Sequence, residues 1–527
     1  MGVSKSQKVP VNVFGSSSFG RYPKISLEKT YNMFISDEWL VNYAGFQRVS
    51  SILPEGEGRG IFHSVRGDFL LVVVSSSVYR VGLNLAPHFI GNISTNAGDV
   101  FMDENLSQQI CIVDGQDAYI FHYPDNTLTQ QTLTFLGNPI IPNYVCYHNT
   151  FFLIASSPFS DNPQNWYAFE YATDSTIQLN TQFSLQTKPD SAIAVKRLPG
   201  RGNNVIVFGS TVAEVWTQVG TAENYRRVQS FNIDNGVVAV STIAASEELV
   251  CWLAQNENNA PSIMVTDGAS SRRISTDGID YLLQTLIRPD QSTAFFFRQD
   301  GHLFWQVTFF NEQDNLSLIY DFNTNLFFHV SNEDLNFHPA RRVVYFNEKT
   351  LFVSLRDAAI YQMGTEFITY NYNIDPTEQG DVIPRIRICK SIRLEDSERF
   401  RVGQFTFWIE QGVNDFYFVN PDDEFCNGLL ITETGGNFIV SQQGQNILGQ
   451  VGECAPEQNP PRVDLSFSKN GNQSFSNIVS RELNINGHYR NQIRWWRMGQ
   501  ANEWTPQLRF WGFQRFVAQN GVAEVIV

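Results

Sequence analysis

The chain has 527 residues, too many for one ordinary core, so two or three domains are expected. Its formal charge of −16, from 37 basic and 53 acidic residues, excludes a general nucleic-acid binder, which needs clustered Lys and Arg to neutralise phosphates. Charged residues make up only 17 % and aromatics 13 %, a balance that suits large β surfaces packed on one another or on neighbouring subunits.

The charge is uneven. Between Arg462 and Arg515 stand eight basic and three acidic residues, locally +5, which leaves the remainder at −21. An acidic body with a basic end can steer assembly. The six cysteines (Cys111, Cys146, Cys251, Cys389, Cys426, Cys454) lie far apart without CxxC or Cys/His ligand spacing, which predicts reduced thiols in a protein folded in the cytosol. The longest apolar run, Phe69 to Val74, is too short to span a bilayer, and the opening residues carry no apolar core of signal-peptide length. No integral membrane segment is expected.

Residues 1–44 hold two short candidate strands, Thr30 to Phe34 and Trp39 to Val41, too small to bury their own aromatics. They are expected to pack with the C-terminal part of the chain. From Gly60 a pattern begins: Gly60 to Val65, Phe69 to Val74, Val78 to Val81 and His88 to Ile93 are four apolar runs separated by turn residues. Six further sets follow, with leading strands near 99, 142, 191, 237, 292 and 341. Four short strands repeating every forty to fifty residues, roughly, are the sequence signature of propeller blades. Seven sets can be counted, with six as the alternative. In the central set, Val205 to Phe208 and Val212 to Thr217 flank Gly209, which would supply a positive φ to the turn, while Glu214 would add to an acidic surface. The last set lacks a strand, and Gly45 to Val49, just ahead of the first blade, could supply it and close the ring. One helix is predicted over Asp277 to Leu286, where Ile279, Leu282, Leu283 and Leu286 share a face, capped by Thr276 or Asp277.

Beyond Gly364 the period is lost. Arg385 to Ile388, Ile392 to Leu394 and Phe405 to Glu410 read as strands, as do four segments after residue 462. Between them the Gly/Asn/Gln-rich stretch 419–461 reads as a long excursion, and its Asp422, Asp423 and Glu424 form a candidate docking loop. The predicted fold class is therefore all-β. A β-propeller over 45–365 is joined to a sandwich-like domain built from 1–44 and 366–527.

Catalytic patterns are thin. The eight histidines form no HExxH or HxH pair, and no GxSxG elbow, P-loop or helix-opening GxGxxG occurs. Gly200-Arg201-Gly202 precedes a strand and reads as a hairpin turn. Propellers also host glycosidases, which work with two carboxylates, so Asp422-Asp423-Glu424 and Glu395-Asp396 with Glu398 define the alternative of a glycan-binding or glycan-cleaving protein. Ser468 to Phe475 is similar to the Asp-box turn of sialidase-type propellers, with Asn470 in place of the Asp and Asn472 in place of the Gly. The basic and aromatic stretch Arg490 to Gly499, with Arg494-Trp495-Trp496-Arg497 at its centre, could stack nucleic-acid bases. In a strand Ile493 and Trp495, with Arg497 next in register, share one face, and Arg494 and Trp496 the other, which favours a subunit interface. No cofactor, metal site or catalytic residue is expected.

Several stretches together resemble the tail hub or nozzle proteins of short-tailed bacteriophages, the packaged-DNA stabilization family. They are Asn32-Met33 followed by Gly45 to Arg48 and Arg59-Gly60-Ile61, Val205 to Ser210 with Glu214, Ala260-Pro261-Ser262-Ile263 before the Ile274 to Leu286 region, and the Ser468 to Gly471 turn followed by Arg494 to Gly499. The resemblance implies a non-enzymatic virion component in the tail, assembled in the host cytoplasm. It implies a homohexameric tube below the portal and its adaptor ring, with tail fibres or spikes outside and a needle or plug at the tip. Packaged double-stranded DNA would occupy the lumen without sequence-specific binding.

Overall fold

Strands that are covered on both faces need no polar alternation, and the middle strands of this chain show it. Phe69–Val74 is buried at all six positions and Asn165–Phe169 at all five, because each lies in a sheet sandwiched between two others. In the computed structural model, seven such antiparallel sheets follow one another around a ring. The structure describes residues 6–19, 28–50, 56–173, 175–179, 181–220, 224–376, 378, 380–394, 399–411, 461–483, 490–512 and 514–526.

The innermost strands are, in order, Gly58–Ser64, Phe101–Glu104, Pro142–His148, Ala194–Arg197, Ala244–Ser246, Ser292–Gln299 and Ala340–Phe346. Each leads outward through hydrogen-bonded neighbours, as Ala194–Arg197 does to Asn204–Phe208, Ala213–Gln218 and Tyr225–Ile233. Apolar clusters fill the spaces between blades; one joins Leu153 and Trp166, Val205 and Val207, and Val250 and Trp252 from three successive sheets.

Ring closure comes from Gly45–Arg48. It pairs antiparallel with Ile360–Gly364 from Arg48 opposite Tyr361 to Gly45 opposite Gly364, and is the fourth strand of the seventh blade. Phe46 then stacks on Tyr370 with centroids 4.6 Å apart and meets Phe352 and Tyr361 edge-on. Two buried arginines tie the first blade to its neighbours. Arg341 donates to the Gly58 carbonyl at 3.0 Å and to Asp99 at 3.1 Å, and Arg59 donates to the carbonyls of Ser75, Thr95, Ala97 and Gly98.

The helix Asp277–Thr285 is capped by the Thr276 hydroxyl, which accepts from the Ile279 N–H; Ile279 and Leu283 are buried against the fifth and sixth blades. The Phe19 carbonyl lies where a side chain on Gly278 would be, so a glycine is required there.

The remaining strands make a two-sheet sandwich. In the first sheet the hairpin Met33–Ser36 and Trp39–Asn42 pairs with Phe516–Ile526, followed by Phe400–Gln411 and Arg490–Ala501, while Ser6–Val11 also pairs with Phe516–Ile526. The second contains Arg385–Ile388, Thr505–Trp511, Arg462–Ser468 and Val479–Glu482. Lys29–Tyr31 joins this sheet to the propeller: it runs antiparallel to Arg385–Ile388 and pairs Tyr31 in parallel with His329 at the rim of the sixth blade.

Two sequence expectations are corrected in the fourth blade. Gly209 does not take a positive φ; a Cβ there would come within 2.4 Å of an Asp190 oxygen, so the glycine makes room for a carboxylate that binds the turn. Glu214 is completely buried and adds nothing to an acidic surface. Its carboxylate accepts from the N–H groups of Gln186 and Thr187, the Thr187 hydroxyl and the Trp216 indole.

Candidate functional site

Phe400–Gln411 and Arg490–Ala501 are long strands with one face on the sandwich core and the other in solvent. Phe405, Phe407 and Ile409 point inward, and Thr406, Trp408 and Glu410 lie between them. On the partner strand Ile493 and Trp495 are inward while Arg494 and Trp496 are outward. Trp495 is 1 % exposed, stacks on Phe405 and Phe407 at 5.7 and 5.8 Å, and donates its indole N–H to the Val479 carbonyl at 2.9 Å. This places Trp495 inside the sandwich and not on an interface: alternation gives adjacent tryptophans opposite fates.

Arg497 departs from the register expected for it. A bulge sets Val402 opposite Gly499 and Gln404 opposite Trp496, and Arg497 takes φ of 62°, so its side chain is exposed beside that of Trp496 and Met498 turns inward. Of the four predicted interface residues, Arg494, Trp496 and Arg497 therefore reach solvent.

The exposed face is larger than the sequence stretch suggested. Trp496 is 55 % and Trp408 38 % exposed, and the pairings Trp408 to Gln492, Thr406 to Arg494 and Gln404 to Trp496 put them about 13 Å apart along the strands. Each carries a cation over its ring: Arg481 lies 5.8 Å from the Trp496 centroid and Arg490 5.1 Å from that of Trp408. Val522, 41 % exposed and opposite Thr406, continues the surface. Trp408 and Arg481 were missed from sequence, whereas Arg490 opens the basic and aromatic stretch read there. The signal for Trp408 was present in the alternation of Phe405, Phe407 and Ile409; Arg481 comes from the other sheet, whose position the sequence does not give.

Asp422, Asp423 and Glu424 of the docking loop, and the Glu395-Asp396 and Glu398 cluster, lie outside the described residues. The Asp-box-like segment turns between Arg462–Ser468 and Val479–Glu482. The Ser468 hydroxyl accepts from the N–H of Asn472, and the Asn470 side chain accepts from the Ser474 N–H, a purely local turn network. Gly200-Arg201-Gly202 is the hairpin turn ahead of Asn204–Phe208. No cluster of three or more His, Cys, Asp or Glu suited to a metal occurs among the described residues, and no helix there is long and apolar enough to cross a membrane. Cys111, Cys146, Cys251 and Cys389 are free and buried, and burial pushes each thiol above its ordinary value.

A family model described as "Bacteriophage P22 Gp10, beta-propeller" matches residues 19–367. The chain belongs to this family. The match runs from Phe19, beside the helix, through all seven blades, and marks the chain as a phage structural protein with a propeller at its centre. No curated protein matches it. Among solved structures it is similar to the WD40 β-propeller domain of Doa1, at 10 % identity over 60 % of this chain and 97 % of that one with a TM-score of 0.37. It is also similar to a catalytically inactive virginiamycin B lyase from Staphylococcus aureus, at 9 % identity over 61 % and 99 % with a TM-score of 0.42. The computationally designed Ika8 protein matches at 9 % identity over 60 % and 99 % with a TM-score of 0.37.

Proposed function

We propose that the chain is the tail hub or nozzle subunit of a short-tailed phage, a non-enzymatic protein that forms a homohexameric tube below the portal and adaptor ring. The division into a propeller over 45–365 and a sandwich from 1–44 and 366–527 belongs to the same reading. The tube retains packaged DNA, docks fibres or spikes, meets a needle or plug at its tip, and provides the conduit for ejection.

The observation that carries this reading is the solvent-facing sheet surface of Trp408 and Trp496 with Arg481, Arg490, Arg494 and Arg497. Trp and Arg are the residue types that anchor protein interfaces, and a sheet face of this kind is costly to leave in water. A ring with sixfold symmetry uses two different complementary patches on every subunit. The basic aromatic face supplies one, and the acidic remainder of the chain, at −21, supplies partners of opposite sign.

The test is to purify the chain with its portal-adaptor protein, measure the mass by light scattering and image the particles by negative stain. Sixfold rings stacked on the adaptor are expected. A chain that stays monomeric and never joins the ring overturns the reading.

A further inference from the structure

Three side chains from distant parts of the chain meet where the hairpin Met33–Ser36 and Trp39–Asn42 packs on the sixth blade. Ser36 ends the first strand of the hairpin, His302 opens the blade strand His302–Phe309, and Asp321 ends its neighbour Leu316–Asp321. His302 Nε2 lies 3.1 Å from the Ser36 hydroxyl, and its Nδ1 lies 2.9 Å from Asp321 Oδ2. A hydroxyl, a base and an acid that orients the base are thereby connected in order, the arrangement that activates a serine nucleophile.

The acceptor sets the tautomer. Carboxylate oxygens only accept, so Nδ1 carries the ring proton and donates to Asp321; Nε2 is left as an acceptor, to which the Ser36 hydroxyl donates. Asp321 is fully buried and held by two further donors, the Thr324 hydroxyl at 2.7 Å and the Asn323 N–H at 2.9 Å. The imidazole is fixed by rings: Phe304 stacks on it at 5.8 Å and Phe34 meets it edge-on at 5.1 Å. His302 is 8 % exposed while Ser36 is half-buried, so solvent reaches the series at its hydroxyl end. Hairpin pairing passes from Ser36 directly to Trp39, which leaves the N–H groups of the exposed turn residues Asp37 and Glu38 outside the ladder and next to the serine. Donors beside the attacking oxygen are what a developing oxyanion needs.

We propose that Ser36 is an activated hydroxyl and a covalent modification site that takes an acyl group from an activated ester. Ser36 Oγ attacks the carbonyl carbon and gives its proton to His302 Nε2. The bond to the leaving oxygen then breaks, the proton passes from His302 to that oxygen, and the products are an O-acyl serine and the free alcohol. Asp321 is a positioning residue, which keeps the imidazole in the tautomer that can accept. The modification is stoichiometric, goes beyond the assembly role without depending on it, and requires the hairpin to be seated on the blade.

The full chain, treated with p-nitrophenyl acetate and mapped by peptide mass spectrometry over time, tests this, whether or not it forms rings. Ser36 is expected to be acetylated at least tenfold faster than any other serine of the chain, and on the order of a hundredfold more slowly in His302→Gln, with circular dichroism reporting that the variant is folded. Asp321→Asn should slow the reaction and Asp321→Glu should restore part of it. Acetylation of Ser36 no faster than that of the other serines overturns the proposal, a result that needs no variant to fold. An unchanged rate in folded His302→Gln overturns it as well, and equal losses in Asp321→Asn and Asp321→Glu overturn the positioning role.

Discussion

The carboxylate of Glu214 accepts two hydrogen bonds from Thr187, one from its backbone N–H and one from its hydroxyl, each at 2.5 Å. Thr187 belongs to the link that leaves the third blade and Glu214 to a middle strand of the fourth, so one buried acid fixes the passage between them. The Trp216 indole at 3.1 Å and the Arg227 guanidinium at 3.7 Å complete its surroundings.

Replacing Glu214 by Ala leaves four donors without their acceptor in a dry site. A loss of about 3 kcal/mol is expected, the order found for removing a buried charged acceptor. Glu214→Gln keeps the shape and one acceptor oxygen and is expected to lose roughly half as much. Thermal melts of the two variants beside the parent chain check the order; Ala and Gln melting together with the parent would show that the carboxylate holds nothing.

Two histidines make the fold acid-sensitive. Burial pushes His338 down to about 3, and burial together with the Lys29 charge pushes His329 to about 3. His338 sits among Tyr43, Phe46, Phe352 and Tyr370, and His329 between Phe19 and Tyr31 with its Nδ1 2.7 Å from the Ser17 hydroxyl. In the unfolded chain both protonate near 6.5, so below that pH the unfolded state binds protons that the folded state refuses. The stabilisation is complete above 6.5 and declines as pH falls towards 3, by about 1.4 kcal/mol per pH unit for each histidine. Denaturant midpoints measured from pH 7 to pH 4 should fall more shallowly in His338→Phe than in the parent; an equal slope in both refutes the assignment.

Much of the ring was legible because its signal is local. A run such as Phe69 to Val74 is buried on both faces and reads as uninterrupted apolar sequence, and the deficit of one strand in the last set pointed to Gly45 to Arg48. What stayed hidden depends on pairings between residues far apart in the chain. Tyr31 opposite His329 joins propeller to sandwich through a single parallel pair, which no local pattern encodes. Glu214 looked like surface because charge is normally solvated, and only the fold brings Gln186 and Thr187 to it. Arg497 was placed by strict alternation, which a bulge opposite Gly403 breaks.

The two adjacent tryptophans should separate stability from association. Trp495→Ala empties a core site between Phe405, Phe407 and Trp504 and is expected to cost about 3–5 kcal/mol. Trp496→Ala removes a side chain that is half in water and should change stability by less than about 0.5 kcal/mol, while weakening self-association if the exposed sheet face is the subunit contact. Melting temperature and sedimentation velocity on both variants distinguish the effects. Equal destabilisation by the two substitutions would contradict the alternation that sets Trp495 inside.

The last prediction concerns the N-terminal arm. Arg387 is fully buried in the second sandwich sheet and donates to the carbonyls of Asn12 at 3.1 Å, Val13 at 2.9 Å and Ser16 at 3.0 Å, and to Glu28 at 2.5 Å. One guanidinium thus holds both ends of the segment from 12 to 28, and through Lys29–Tyr31 it supports the junction between sandwich and propeller. Arg387→Met fills similar volume but satisfies none of these acceptors, so the arm should detach while the two sheets, joined by the core around Trp495 and Phe510, stay together. Limited trypsin digestion followed by mass spectrometry is expected to release fragments from the first 29 residues several-fold faster in Arg387→Met, with little change in cleavage within the blades. Equal rates in variant and parent would mean that the pairing of Ser6–Val11 with Phe516–Ile526 is sufficient to anchor the arm.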